Sequence, residues 1–214
     1  MRTLFFSIIA LIASYPVVAQ LTVQPEIGVN IANYRIKTPN FTYNNLAKGL
    51  WRAGAVVNIR CSGNVEIQPG LFYTGNGYKS SLYGINEDIT IHCLELPVNV
   101  LYTPETKSKN LSIGAGLYAA YHLAGAVEVD GHKTEMKFAN KPTENLFFIS
   151  KPYDIGWRLV SVLKITPALY AKAHFQMGLK NLYAESEMPD SYFNVRNYSY
   201  GISFGYCFNA KKGK

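Results

Sequence analysis

Four histidines, three cysteines and a thin set of charges are the side chains of this 214-residue chain with chemistry to offer. His92, His122, His132 and His174 have no metal-ligand spacing. Cys61, Cys93 and Cys207 are odd in number and lack a C-x-x-C pair. Cys93 does follow His92, but neighbours on a strand point to opposite faces. We expect no metal, no cofactor and no catalytic residue. At most one disulfide is expected, and rather none. No phosphate loop, dinucleotide fingerprint or H-E-x-x-H motif occurs. What remains is ionic. Glu26, Arg52, Arg60, Glu66, Glu95, Asp154, Arg158, Lys172 and Lys180 all fall on one of the two alternating faces of eight segments. The chemistry open to them is pairing inside a confined space.

The segments that must position these charges alternate with period two, the signature of strands. In the last one, Tyr198, Tyr200, Ile202, Phe204, Tyr206 and Phe208 share a face, and Ser199, Gly201, Ser203, Gly205 and Cys207 share the other. Seven more behave alike, near residues 23–31, 51–60, 65–73, 94–102, 111–121, 154–163 and 169–179. One face is apolar almost throughout. The other holds the strand glycines and nearly every strand charge. A soluble barrel would carry its charges outside. This pattern suits an apolar exterior in lipid around a tight polar interior. Closure is required, because an open sheet edge in lipid leaves backbone groups unpaired. The fold expected is all-β: a closed antiparallel up-and-down transmembrane β-barrel of eight strands.

The links support the same reading. Short links (Cys61–Gly63, Thr103–Asn110, Lys164–Ala168) alternate with long ones (Tyr34–Gly49, Thr74–Thr90, His122–Tyr153, Lys180–Asn197). Bacterial barrels have short periplasmic turns and long outer loops, which places both mature termini in the periplasm. Trp51, Tyr73, Tyr121, Trp157, Tyr198 and Tyr200 fall towards the outer rim and Tyr102, Tyr206 and Phe208 towards the inner one, as aromatic girdles do. Asp130-Gly131 reads as a hairpin turn that lengthens the fifth strand, and it leaves a ten-stranded barrel open as the alternative. Pro25, Pro69 and Pro97 lie inside strands, so bulges or distortion are expected there. Glu95 and Arg158 fall near mid-barrel on the strands flanking the fifth. Gly114 and Gly116 lie between them, so an ion pair across that strand is expected, since a lone buried charge is costly; it reads as a structural plug of the lumen, with an ion gate as the alternative. His174 is the candidate for a lipid-modifying Ser/His site, but its parity turns it to the lumen, away from lipid.

Residues 1–19 read as a cleaved signal peptide: Arg2, an apolar run from Leu4 to Ile12, then Val17-Val18-Ala19 before Gln20. The apolar run is well short of the roughly 20 residues of a membrane-spanning helix. Residues 20–208 form the barrel domain, and 209–214 a short basic tail. The net charge of +7 falls to +6 once Arg2 leaves with the leader. The cations are scattered and form no basic helix, which argues against nucleic acid as a partner.

Four stretches stand out: Gln68-Pro69-Gly70-Leu71-Phe72-Tyr73 with Gly77-Tyr78-Lys79, Leu94-Glu95-Leu96-Pro97-Val98, Gly114-Ala115-Gly116-Leu117-Tyr118, and Tyr200 to Phe208. In this order they resemble the porin-family outer membrane β-barrel proteins, the small OmpX-like and PorT-like barrels of Gram-negative bacteria. The last segment is similar to the terminal strand read by the barrel-assembly machinery, although Asn209 to Lys214 extend past the family's usual aromatic end. The resemblance implies an outer-membrane location and outer membrane lipid as a neighbour. For function the readings are a non-enzymatic structural or interaction barrel that meets a surface protein or glycan through its long loops, a narrow pore for small solutes, or an accessory component of a secretion system. Side chains fill the interior of an eight-stranded barrel, which argues against an open channel.

Overall fold

The computed structural model describes residues 22–38, 42–43, 45–82, 85–105, 110–139, 151–183 and 194–208. Residues 1–19, expected to be a signal peptide, and the basic residues 209–214 lie outside the described residues. Ten strands form in chain order: β1 (Thr22–Lys37), β2 (Thr42–Tyr43), β3 (Leu46–Ser62), β4 (Val65–Leu82), β5 (Ile85–Tyr102), β6 (Leu111–Val129), β7 (His132–Glu135), β8 (Tyr153–Lys164), β9 (Leu169–Gly178) and β10 (Asn194–Tyr206). Eight of them close a ring in the order β1-β3-β4-β5-β6-β8-β9-β10, with β10 pairing back onto β1 from Glu26–Gly205 to Lys37–Asn194. All pairs of the ring are antiparallel and, apart from the closing β10–β1 pair, join strands that follow one another in the chain order of the ring, the up-and-down topology expected. β2 and β7 are short additions that pair with β1 and β6 at the end remote from the chain termini. They do not enlarge the ring, so eight rather than ten strands span it.

The greasy side of each strand faces outwards. Leu96 is 52% exposed, Ile113 50% and Ile202 59%, whereas Arg158 is 1% exposed. On β5 the outward row runs Leu94, Leu96, Val98, Val100, Tyr102, and the inward row Glu95, Pro97, Asn99, Leu101. Eight residues at about 3.3 Å each, tilted about 40°, give a lipid-facing band about 20 Å tall, close to the height of such bands. Exposed Trp51, Tyr121, Tyr153 and Tyr200 mark one rim and Tyr102, Tyr206 and Phe208 the other. Glycine makes the interior possible. A Cβ on Gly116 would stand 2.7 Å from Asn99 Oδ1, and one on Gly156 would lie 2.5 Å from the Tyr118 ring.

The structure corrects three expectations. First, the links Tyr34–Gly49 and Thr74–Thr90 are not mainly loop. β4 and β5 continue pairing to Leu82–Ile85, and β6 runs on to Val129 before turning through Asp130 (φ 47°) and Gly131 (φ 85°) into β7. The Asp-Gly turn is the one foreseen, since both positive φ values suit it. The strand extensions were hidden because their polarity reverses. Tyr34, Ile36, Tyr78, Ile89, Ile91 and Val127 point inwards, and Arg35, Lys79, Asp88 and Glu128 outwards. Alternation continues, but an apolar-outside template stops at the rim. Second, the prolines carry no bulge, although local distortion does occur at two of them. Pro25 pairs with Ala55 and Pro97 with Tyr118 in register. The β3–β4 ladder is interrupted at Gln68-Pro69 and the β4–β5 ladder at Gly70-Leu71, opposite Leu96-Pro97, each resuming in the same register. The shifts fall at Ala47/Arg52, Arg60/Ser62 and His92/Cys93. Third, Lys180 is not lumenal: it lies at the rim over the ring of the exposed Tyr153.

Candidate functional site

The lumen is filled by three stacked layers of side chains, each a consequence of strand parity. At mid-barrel Glu95 of β5 is 0% exposed. Its Oε1 accepts from Arg158 Nη1 of β8 at 3.0 Å and lies 3.3 Å from Arg52 Nη1 of β3; its Oε2 accepts from Gln176 Nε2 of β9 at 2.8 Å. One carboxylate thus holds two guanidiniums and an amide from three strands. The Glu95–Arg158 bond crosses β6 over Gly116, which pairs with Asn99 on one side and Arg158 on the other. The Arg52 guanidinium also lies 3.9 Å from the centroid of Phe72, a cation–π contact in a dry site. His174 Nε2 is 3.4 Å from Arg52 Nη1 and 3.3 Å from Asn30 Oδ1. Asn30 in turn donates to Gly75 O and to Asn76 Oδ1, both at 2.9 Å.

A second centre lies towards the chain termini. Glu26 of β1 is ion-paired with Lys172 of β9 and accepts from Tyr170 Oη at 2.8 Å and Ser203 Oγ at 3.1 Å. Lys172 donates to Gln68 Oε1 at 2.7 Å, and Gln68 Nε2 donates to Asn58 Oδ1 at 2.6 Å. The chain ends at Glu66, 3.3 Å from Arg60 Nη2. The Arg60 side chain is 56% exposed, so this pair sits at the mouth rather than in the plug. A cavity of about 270 Å³ opens there between Gln24, Arg60, Glu66, Lys164 and Tyr170.

The third layer caps the other end. Asp154 is buried and accepts from Tyr118 Oη at 2.8 Å, with no cation among its hydrogen-bond or ion-pair partners in the described residues. Above it a cluster of Tyr34, Ile36, Tyr78, Ile89, Ile91, Val127, Met136, Leu182 and Val195 closes the extended part of the barrel. Of the charges placed inwards from the sequence, Glu26, Arg52, Glu95, Arg158 and Lys172 assemble into the two buried centres. Asp154 stands apart from them, and Arg60 with Glu66 occupies the mouth. The neutral partners Gln176, Gln68, Asn30 and Tyr118 were legible only as inward positions. Nothing in their type distinguishes a bridging amide from a lumen filler. Cys61, Cys93 and Cys207 are all free, Cys93 accepting from Asn76 Nδ2 at 3.4 Å. Among the described residues no group of three or more His, Cys, Asp or Glu could hold a metal ion.

Residues 13–211 match the family model described as an outer membrane protein beta-barrel domain. The chain belongs to this family. Membership indicates the outer membrane of a Gram-negative bacterium and is consistent with a non-enzymatic role. Similar solved structures include Ail, the attachment invasion locus protein of Yersinia pestis, in complex with the heparin analogue sucrose octasulfate. It is 10% identical over 88% of this chain and 99% of that one, with a TM-score of 0.47. Neisserial surface protein A is 11% identical over 88% and 97%, with a TM-score of 0.48. The outer membrane protein OprG from Pseudomonas aeruginosa is 9% identical over 88% and 95%, with a TM-score of 0.43. No curated protein matches the chain.

Proposed function

We propose that this barrel is a closed, non-enzymatic scaffold of the outer membrane whose working surface is the wall of strands that rises beyond the lipid. The carrying observation is the lumen. Two buried ionic centres lie in series beneath an apolar cap, and a conducting path would have to displace all three layers. Opening such a path would separate buried ion pairs and leave their charges uncompensated, which is strongly unfavourable. The wall of β4, β5, β6 and β7 presents Lys79, Asp88, Glu128 and Lys133 outwards, a polar face suited to a surface protein or glycan.

In this reading residues 1–19 are the export signal and both mature ends face the periplasm. Tyr200 to Phe208, with Tyr200, Ile202, Phe204, Tyr206 and Phe208 exposed along one face, is the strand offered to the barrel-assembly machinery. The structural role of Glu26, Arg52, Glu95, Arg158 and Lys172 is closure. Planar-bilayer recording tests it: the purified barrel is expected to give no steady conductance. Ion-selective current in the wild type that grows in Glu95→Ala would establish the narrow-pore reading instead.

A further inference from the structure

β1 and β10 close the ring, and above the rim their register sets Arg35 directly opposite Arg196. Both point outwards, because Tyr34, Ile36, Val195 and Asn197 on either side of them are buried inside. Like charges placed directly across a strand pair repel and destabilise it. Lys37 lies two residues further along the same outward row of β1. Among the described residues no hydrogen bond or ion pair engages Arg35, Lys37 or Arg196, and Arg196 Nε is a buried donor without an acceptor. The neighbouring cation of β3, Lys48, is by contrast paired with Asp88. Three cations therefore share one seam with no counter-charge among the described residues, where the closing register forces two of them together.

Their height above the lipid says what would neutralise them. Tyr200 and Ile202 are lipid-facing, and half-buried Tyr198, two residues before Tyr200, accepts from Asn33 Nδ2 at 2.9 Å. Arg196 is four residues beyond Tyr200, the exposed aromatic at the rim, a rise of about 10 Å along the membrane normal at about 3.3 Å per residue and about 40° of tilt. The polar headgroup zone is about 5–7 Å deep on each side of the hydrocarbon. The arginine backbones stand just beyond it, and side chains of this length reach back into it. A planar guanidinium pair matches the oxygens of a phosphate, which a single lysine does not.

We propose that the β1–β10 seam binds the phosphate of an outer-leaflet glycolipid headgroup, held between Arg35 and Arg196 with Lys37 at its edge. The site rests on the orientation proposed above, with the strand extensions outside the cell. The test is native mass spectrometry of the full barrel in detergent with bisphosphorylated lipid A, dephosphorylated lipid A and inorganic phosphate, a format indifferent to orientation. Retention of the phosphorylated lipid is expected to exceed that of the dephosphorylated one by at least about tenfold. Arg35→Gln/Arg196→Gln should remove that preference while keeping the heat-modifiable mobility of a folded barrel, since charge-assisted hydrogen bonds are its source. Equal retention of both lipids, or an unchanged preference in the variant, would overturn the site. So would displacement of the lipid by millimolar inorganic phosphate, which would make free phosphate the ligand. Glu185→Gln/Glu187→Gln/Asp190→Asn, in the segment just before β10, should leave retention within about twofold. A many-fold rise would show that the chain's own carboxylates neutralise the pair, and would also sink the proposal. Labelling of Lys133→Cys on intact cells reads the orientation separately.

Discussion

Replacing Glu95 by Gln removes a charge and almost no volume, so its cost isolates the electrostatics of the plug. In the wild type one oxygen, Glu95 Oε1, lies 3.0 Å from Arg158 Nη1 and 3.3 Å from Arg52 Nη1. The two guanidinium nitrogens therefore stand no further apart than those two distances together. With the carboxylate neutralised, the arginines repel by about 3 kcal/mol at an effective dielectric of about 20. Breaking a buried pair by removing one partner typically costs about 3–5 kcal/mol, which agrees. Urea unfolding in lipid vesicles, followed by the fluorescence of Trp51 and Trp157, reads the effect, because both tryptophans lie on the barrel wall rather than in the lumen. With a slope of about 1–3 kcal/mol/M, the midpoint should fall by about 1–3 M. The double variant Glu95→Gln/Arg158→Gln removes one of the two repelling cations and should recover at least half of the loss. A single variant within about 0.5 kcal/mol of wild type would mean that the centre is fully solvated and not a dry plug. A double variant no better than the single would refute the assignment of the cost to repulsion.

The same reasoning sets other outcomes. Glu66→Gln, whose partner Arg60 is more than half exposed, should cost under about 1 kcal/mol in the same assay. Gly116→Val adds atoms where Asn99 Oδ1 already lies 2.7 Å from a Cβ position, and should destabilise by about 1–3 kcal/mol, read as a lower urea midpoint. For topology, a membrane-impermeant maleimide should label Lys133→Cys on whole cells but reach the exposed native Cys61 only after permeabilisation, with Cys93 unreactive throughout. Labelling of Cys61 on intact cells would reverse the proposed orientation. Protease shaving should likewise cut within the 122–152 link and spare the 103–110 link.

The ring itself was legible because lipid imposes a two-sided rule on every residue of a spanning strand. Leu96 and Ile202 must face out and Gly114 and Arg158 in, so eight segments agree and errors in any one are corrected by the rest. The Glu95–Arg158 contact was legible for the same reason: parity and depth place both groups, and the glycines between them remove the obstacle. Arg52 was recognised as inward but not as the second ligand of Glu95. Its approach depends on barrel shear, which staggers strands by amounts that no single segment encodes. The bulges were misplaced as well. They fall at Ala47/Arg52, Arg60/Ser62 and His92/Cys93, whereas the donor lost at Pro69 and Pro97 interrupts the ladder without shifting its register.

The strand extensions show why the two ends of this barrel need different chemistry. Within the lipid, the solvent outside is apolar, so polar groups gain by facing in, and pairing them costs nothing in exposed hydrophobic surface. Past the rim the outside is water and the preference inverts, so Ile89 and Ile91 turn in on the same strand whose Glu95 is in and Leu96 out. The lumen is then closed twice by opposite means, by charge at mid-barrel and by apolar packing above. The two closures are independent. Cutting the ionic centre with Glu95→Gln should loosen the membrane half while leaving Ile89, Ile91 and Tyr78 packed. Truncating the cap, as in Ile91→Ala, leaves the ion pairs in place and should cost about 2–5 kcal/mol from the cavity alone. Separate hydrogen-exchange responses of β5 residues 86–92 and 95–101 in the two variants would show this. A uniform response along the whole strand would mean that the barrel opens as one unit and that the two closures are a single one.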